Sequence, residues 1–156
     1  MKSPKILGTG HVCTEYDHPT INQVNGQIKD TMAKIKVRAD CGNAPKSEFL
    51  KEFNMAMAQG DTDFISRHLA VDMVWEIMGK QKVTGVGDLL RILPGYPLWK
   101  AKELVIDTVI THGKEASASG RFTSRDNREY AYCEIYRFKG FKGTILSSIE
   151  TFLISL

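Results

Sequence analysis

Residues 49–77 read FLKEFNMAMAQGDTDFISRHLAVDMVWEI, and the hydrophobic period changes along this one stretch. Phe49, Leu50, Phe53 and Met57 recur at helical spacing and form one apolar stripe. Pro45, behind Asn43 or Ala44, suits a first helical turn, and Gly60 suits the left-handed cap that ends it. Asp61 or Thr62 then caps a second, short helix carrying Phe64, Ile65 and Leu69. From Met73 the run MVWEIMG reads as a strand, with Gly79-Lys80 as the turn and QKVTG as its short return.

Working outward, VGDLLRIL (86–93) predicts a third helix, stopped by Pro94 and the loop PGYPLWK. Everything beyond is β. KELVIDTVITHG, KEASASGRFTS, REYAYCEIYRFKG and GTILSSIETFLISL read as four strands, with turns at His112-Gly113, Asp126-Asn127 and Gly140 to Gly143. Helices gathered early and strands gathered late mean α+β. The expected form is a cystatin-like cone, three N-terminal helices on one face of a curved mixed or antiparallel sheet that encloses a pocket. The domain spans 34–156. Residues 1–33 are polar, without sustained periodicity, and read as an N-terminal extension, with Met32 a possible second start. Ile35, Val37 and Ala39 alternate and add either a strand or an arm.

Composition narrows the function classes. At 156 residues, with 42% hydrophobic and 25% charged side chains, the chain fits one globular domain with a real core. A net charge of +3, carried by scattered Lys and Arg, offers no stripe for a phosphate backbone, so no nucleic-acid partner is expected. Three cysteines without a C-x-x-C pair suit a reducing compartment. No membrane span and no signal peptide are read, which makes the expected location cytoplasmic. No phosphate loop, dinucleotide fingerprint, nucleophile elbow or zinc-protease motif is present, and no cofactor is expected. His11, Cys13, Asp17 and His18 lack a recognised ligand spacing, so no metal site is assigned.

The long helix ending in Gly60-Asp61, the short helix Phe64 to Leu69, and the strand led by Asp72 into Trp75 resemble the nuclear transport factor 2-like superfamily. Within it the chain is similar to the SnoaL-like polyketide cyclase and ketosteroid isomerase branch, over roughly residues 46–156. The resemblance implies a cone fold and pairing through its convex sheet face, here Ser117, Ser119, Arg121, Ala131, Cys133 and Ile135. It implies less about activity, because the superfamily holds enzymes, transport factors and binding modules. Ile77 stands where ketosteroid isomerases place their general base, and Phe53 where their helix supplies an oxyanion-hole tyrosine. Their second oxyanion donor, a buried aspartic acid, falls on Glu134. The acidic residue of epoxide hydrolases in the last strand falls on Glu150, while their arginine-linked acid pair has no counterpart.

The residues themselves point the same way. In YAYCEIYRF (130–138) alternation puts Glu134 on one face with Tyr130, Tyr132, Tyr136 and Phe138. In ILSSIETFL it puts Ser148, Glu150 and Phe152 together. If the last hairpin turns near Phe141, Glu134 lies opposite Ser148 and diagonal to Glu150, ~7–8 Å apart between backbones. A carboxyl among rings loses hydration, so its pKa rises, and a second carboxylate nearby raises it again. One acid would then donate to a carbonyl oxygen while the other acts as general base. Glu134 and Glu150 are thus the candidate catalytic pair, with Phe53, Trp75, Ile77, Tyr132, Tyr136, Ser148 and Phe152 around a small apolar molecule. Ala118, Gly120 and Phe122 would form the wall, the small residues leaving room. Two readings stay open: cofactor-free cyclase, isomerase or dehydratase, and a non-catalytic ligand-binding or dimeric module, with Glu134 solvated on the convex face or paired there with Arg121 or Arg137. His68, at a helix end, reads as a surface residue, and His112, in the turn THGK, as a turn residue satisfied by its own loop.

Overall fold

The computed structural model describes residues 32–38 and 44–156. Ala39, Asn43 and the histidine, cysteine and aspartate cluster of the N-terminal extension lie outside the described residues.

Helix α1, Pro45–Gln59, starts on its proline after an extended Ala44 that offers no side-chain cap. It stops at Gly60, whose left-handed backbone (φ 76°) lets its N–H reach the carbonyls of Ala56 and Met57. Asp61 caps α2, Thr62–Arg67, by accepting from the Phe64 N–H at 2.9 Å. Strand β2, Leu69–Ile77, begins earlier than its period suggests, because Leu69 and Ala70 belong to it and a bulge separates Leu69 from Val74. Strand β3, Gln81–Thr84, returns from it, and α3, Val86–Ile92, runs into a 3-10 turn, Leu93–Gly95. The four long strands follow as β4 (Glu103–His112), β5 (Glu115–Thr123), β6 (Glu129–Phe138) and β7 (Leu146–Ser155). The run around Ile35 and Val37 is a strand, β1, Lys34–Val37.

The seven strands of the described residues join in one sheet of order β1-β4-β5-β6-β7-β2-β3. Pairs β4–β5, β5–β6, β6–β7 and β2–β3 are antiparallel, while β1–β4 and β2–β7 are parallel, so the sheet is mixed. The expected α+β cone is therefore the observed fold. A bulge between Ile106 and Thr108 and the absence of a side chain at Gly120 bend the centre. A Cβ on Gly120 would stand 2.0 Å from the Val105 carbonyl oxygen, so only glycine allows that approach.

The core lies between the concave face and the helices. Phe49, Leu50, Phe53, Ala56 and Met57 of α1 meet Trp75 of β2, Leu104 and Ile106 of β4, and Tyr136 and Phe138 of β6, all buried. Among the described residues no helix is long and apolar enough to cross a membrane.

Candidate active site at Glu134

Strand β6 alternates cleanly, sending Tyr130, Tyr132, Glu134, Tyr136 and Phe138 inward. Glu134 is 3% exposed, so it is no solvated residue of the convex face. Its Oε1 accepts from Thr151 Oγ1 at 3.1 Å and from the Tyr96 hydroxyl at 3.3 Å, and its Oε2 accepts from the Tyr136 hydroxyl. Outer links steady these donors. The Trp75 indole N–H donates to Thr151 Oγ1 at 2.9 Å, and Asn54 Nδ2 donates to both Tyr136 Oη and the Leu50 carbonyl at 2.9 Å. Helix α1, strands β2 and β7, and the loop before β4 thus each contribute one side chain, and β6 contributes two, Glu134 and Tyr136.

Burial pushes the Glu134 carboxyl above its ordinary range, and the hydroxyls of Tyr136, Thr151 and Tyr96 pull it back only in part. The phenols of Tyr96 and Tyr136 rise as well, through burial first and then through the charge of Glu134. Tyr132 is raised by burial, then by Glu134 and by Asp107. Among the described residues two buried side-chain atoms have no hydrogen-bond partner, Asn54 Oδ1 and the Tyr132 hydroxyl.

Of the residues singled out from sequence, the structure brings Phe53, Trp75, Ile77, Ala118, Gly120, Phe122, Tyr132 and Tyr136 to the interior with Glu134. Ala118 lies directly opposite Glu134, and Gly120 opposite Tyr132. Ser148, Glu150 and Phe152 are on the other face. Glu134 pairs with Thr151, and Ile135 with Glu150, because the last connection is wider than a turn centred on Phe141. It is closed by the Lys139 N–H on the Ile145 carbonyl, with a bulge between Arg137 and Phe138. The resulting odd offset exchanges the two faces of β7. Glu150 is consequently exposed, Phe152 is 42% exposed, and neither they nor Ser148 can serve the interior.

Part of the expected room is taken. Tyr132 lays its ring over Gly120, its Cε1 3.1 Å from where a Cβ would be, so the glycine admits a ring of this chain. Beside Glu134 a cavity of about 10 Å³ remains, lined by Phe53, Trp75, Leu89, Leu93 and Ile149 among others. That is room for about one water. His68 departs from its surface reading. It is half-buried, its ring centroid 4.4 Å from that of Phe64 and 5.0 Å from that of Phe49, and its Nδ1 is 2.8 Å from the Phe64 carbonyl. His112 is exposed, and it ends strand β4, paired with Glu115, instead of lying in the turn.

Sequence reasoning missed Tyr96, Thr151 and Asn54. Tyr96 sits between two prolines in a stretch read as loop, and its one signal is that PGYPLWK is too rich in large apolar side chains for an exposed connection. Thr151 was hidden by the register error. Asn54, on the apolar stripe of α1, was the readable one, since a buried amide needs partners. Among the described residues no cluster of three or more His, Cys, Asp or Glu is placed to hold a metal.

No protein-family model and no curated protein matches the sequence. Solved structures do match. A Kribbella flavida protein assigned to the ketosteroid isomerases is 17% identical, with 71% of this chain and 78% of that one covered and a TM-score of 0.59. An LEH-like epoxide hydrolase of M. tuberculosis is 12% identical, covering 70% of this chain and 82% of that one at a TM-score of 0.55. A de novo designed protein with a curved β-sheet is 13% identical, covering 69% and 83% at a TM-score of 0.57. A designed scaffold among these neighbours underlines that likeness at such identities speaks to architecture alone. An NTF2-like protein of Cytophaga hutchinsonii also matches, at 11% identity over 69% of this chain and 88% of that one with a TM-score of 0.55, and with the helix order and mixed sheet it establishes that the chain has the nuclear transport factor 2-like fold.

Proposed function

We propose that the cone receives a small, mainly apolar carbonyl or hydroxy compound and that Glu134, in its neutral form, carries out cofactor-free isomerisation, cyclisation or dehydration on it. The observation behind this reading is a wholly buried carboxyl whose partners are all hydroxyls and whose pKa is raised. A two-carboxylate mechanism is not supported, since Glu150 faces outward. One neutral carboxyl can supply both halves of the chemistry. Its O–H protonates a carbonyl oxygen while its other oxygen removes the proton on the adjacent carbon, giving the enol and an unchanged acid. With a β-hydroxy compound the same exchange expels water. Tyr96, Tyr136 and Thr151 supply donors to whichever oxygen carries the charge.

The test is deuterium exchange. In D₂O the protein should exchange the α-hydrogens of β,γ-unsaturated and β-hydroxy cyclic ketones, followed by proton NMR, and Glu134→Gln should slow this at least 100-fold. Equal rates in the two proteins would remove Glu134 from the role. A second reading, a binding or interaction module without turnover, draws on the water-sized cavity and on apolar Phe53 and Ile77 in place of a tyrosine and a base. Capture of an unreacted compound in native mass spectrometry, without exchange, would favour it.

We further propose self-association through the outer sheet face. Ile135 and Phe152, each 42% exposed, and Ile154, 63% exposed, lie there among small Ser117, Ser119, Ala131 and Cys133. Light scattering should give a dimer mass, which Phe152→Glu converts to a monomer.

A further inference from the structure

The sequence scatters its lysines, but the fold gathers four of them at one end of the sheet. Lys46 comes from the first turn of α1, Lys114 from the β4–β5 turn, and Lys139 and Lys142 from the connection between β6 and β7. Backbone bonds fasten these places, the Phe138 N–H on the Lys114 carbonyl at 2.7 Å and the Lys139 N–H on the Ile145 carbonyl at 2.8 Å. Lys46 latches the helix to both. Its ammonium donates to the carbonyl of Gly113 and, at 3.3 Å, to that of Gly140, and it stands 4.4 Å from the centre of the Phe138 ring. Lys114, Lys139 and Lys142 are exposed. The carboxylates next to them in the chain are taken, Glu115 by Arg137 at 2.9 Å and Glu48 by Lys51 at 2.7 Å. Four lysines here compare with a net charge of +3 for the whole chain, so the other residues are together almost neutral. Among the four stands Phe141, 74% exposed, in KGFKG (139–143). Its Cε1 lies 3.7 Å from where a Cβ on Gly113 would be, and Lys114 Nζ lies 4.9 Å from its ring centre. One exposed ring is ordinary. An exposed ring with a cationic rim is a surface of a particular kind.

We propose that this end of the sheet docks on a bilayer surface containing anionic phospholipids. Phe141 enters the boundary between headgroups and acyl chains, and the exposed lysines meet the lipid phosphates and carboxylates. The inference stands apart from the role of Glu134. A phenyl ring makes no hydrogen bond, so it gains only by leaving water, while an ammonium on a flexible stem must stay among oxygens. A headgroup layer offers both environments within the length of one side chain. A single strand of nucleic acid also supplies anionic oxygens, but it is held by bases stacked in succession on open aromatic faces. This end presents one such ring, with Lys114 already over one face. Association is reversible, since one ring and a few charges make a surface contact and not an inserted span.

The experiment is cosedimentation of the full chain with sucrose-loaded vesicles, made of phosphatidylcholine alone or with about one lipid in three replaced by phosphatidylserine. Partitioning should be at least tenfold stronger into the anionic vesicles and should vanish in about 0.5 M sodium chloride. Lys139→Glu with Lys142→Glu should weaken it at least tenfold, since each lysine at such a surface is worth about fivefold. Lys80→Glu with Lys82→Glu changes the net charge equally but beyond the far end of β2, and should weaken it at most about threefold. Phe141→Ala, with every charge kept, should weaken it at least threefold. Phe141→Trp should shift its emission to the blue on adding anionic vesicles, Trp75 and Trp99 being buried already. All these positions are exposed, and circular dichroism melts confirm that each variant folds. Equal partitioning into the two vesicle types, or none into either, would overturn the proposal. So would equal losses from the two charge pairs, or no effect of Phe141→Ala. Retention of a single-stranded oligonucleotide through Lys139 and Lys142, without vesicle binding, would reassign this end to nucleic acid and overturn it as well.

Discussion

Glu134 and Glu150 are the same residue type on adjacent strands, yet they live on opposite sides of one sheet. The first looks into rings and hydroxyls and has its carboxyl pushed up by burial. The second sits exposed between Ile135 on β6 and Glu76 on β2. Alternation alone does not say which of them faces inward, since each strand offers two faces. The side of the sheet decides which glutamate is chemically interesting, and the side is set by register.

Five substitutions test how deep that difference runs. The largest effect should come from paired phenylalanines. Phe53→Ala on the inner side should cost about 3–5 kcal/mol in urea denaturation, and Phe152→Ala on the outer side under about 1 kcal/mol. Comparable losses would mean that the outer side is as tightly packed as the inner. Next, Thr151→Val keeps the shape but strands the Trp75 N–H and leaves Glu134 Oε1 with the longer bond from Tyr96, at about 1–3 kcal/mol.

A smaller effect is carried by pH. The folded protein holds the Glu134 proton above the ordinary value of 4.5, so in that window it binds more protons than the unfolded chain. Stability from this group is full below the ordinary carboxylate range and declines as pH rises, levelling off above the folded pKa. Glu134→Gln removes that slope. The stability of wild type relative to the variant, about 1 kcal/mol in acid, should therefore shrink with rising pH in parallel denaturation series. The smallest effect belongs to Glu150→Gln, within about 0.5 kcal/mol and without influence on deuterium exchange.

The architecture was readable because its signals are local. Pro45 and Gly60 bracket α1, Asp61 caps α2, and the alternation of β6 marks an inner and an outer face without reference to any other strand. Half of the site was readable for the same reason, since Glu134 and its flanking tyrosines share one strand. What failed was relational. The segment between Phe138 and Leu146 contains Gly140 and Gly143, either of which could centre a turn, and pattern alone does not count how many residues the connection consumes. That count decides whether Thr151 or Ser148 faces Glu134. Tyr96 was invisible for a different reason. It belongs to no periodic element, and only the packed molecule shows that a loop residue fills the cone.

The two parallel seams have a consequence for how the molecule assembles. Three hairpins can build β4 to β7 from neighbouring chain, but β2 reaches β7, and β1 reaches β4, only by closing long stretches between them. Long closures are slow to form, so we expect the meander to precede both. Until β2 docks, Trp75 cannot reach Thr151, and water can still reach the acid at the centre. The moment at which Glu134 loses its hydration would thus time the final stage of folding, and a stopped-flow record of proton uptake would read it as a clock.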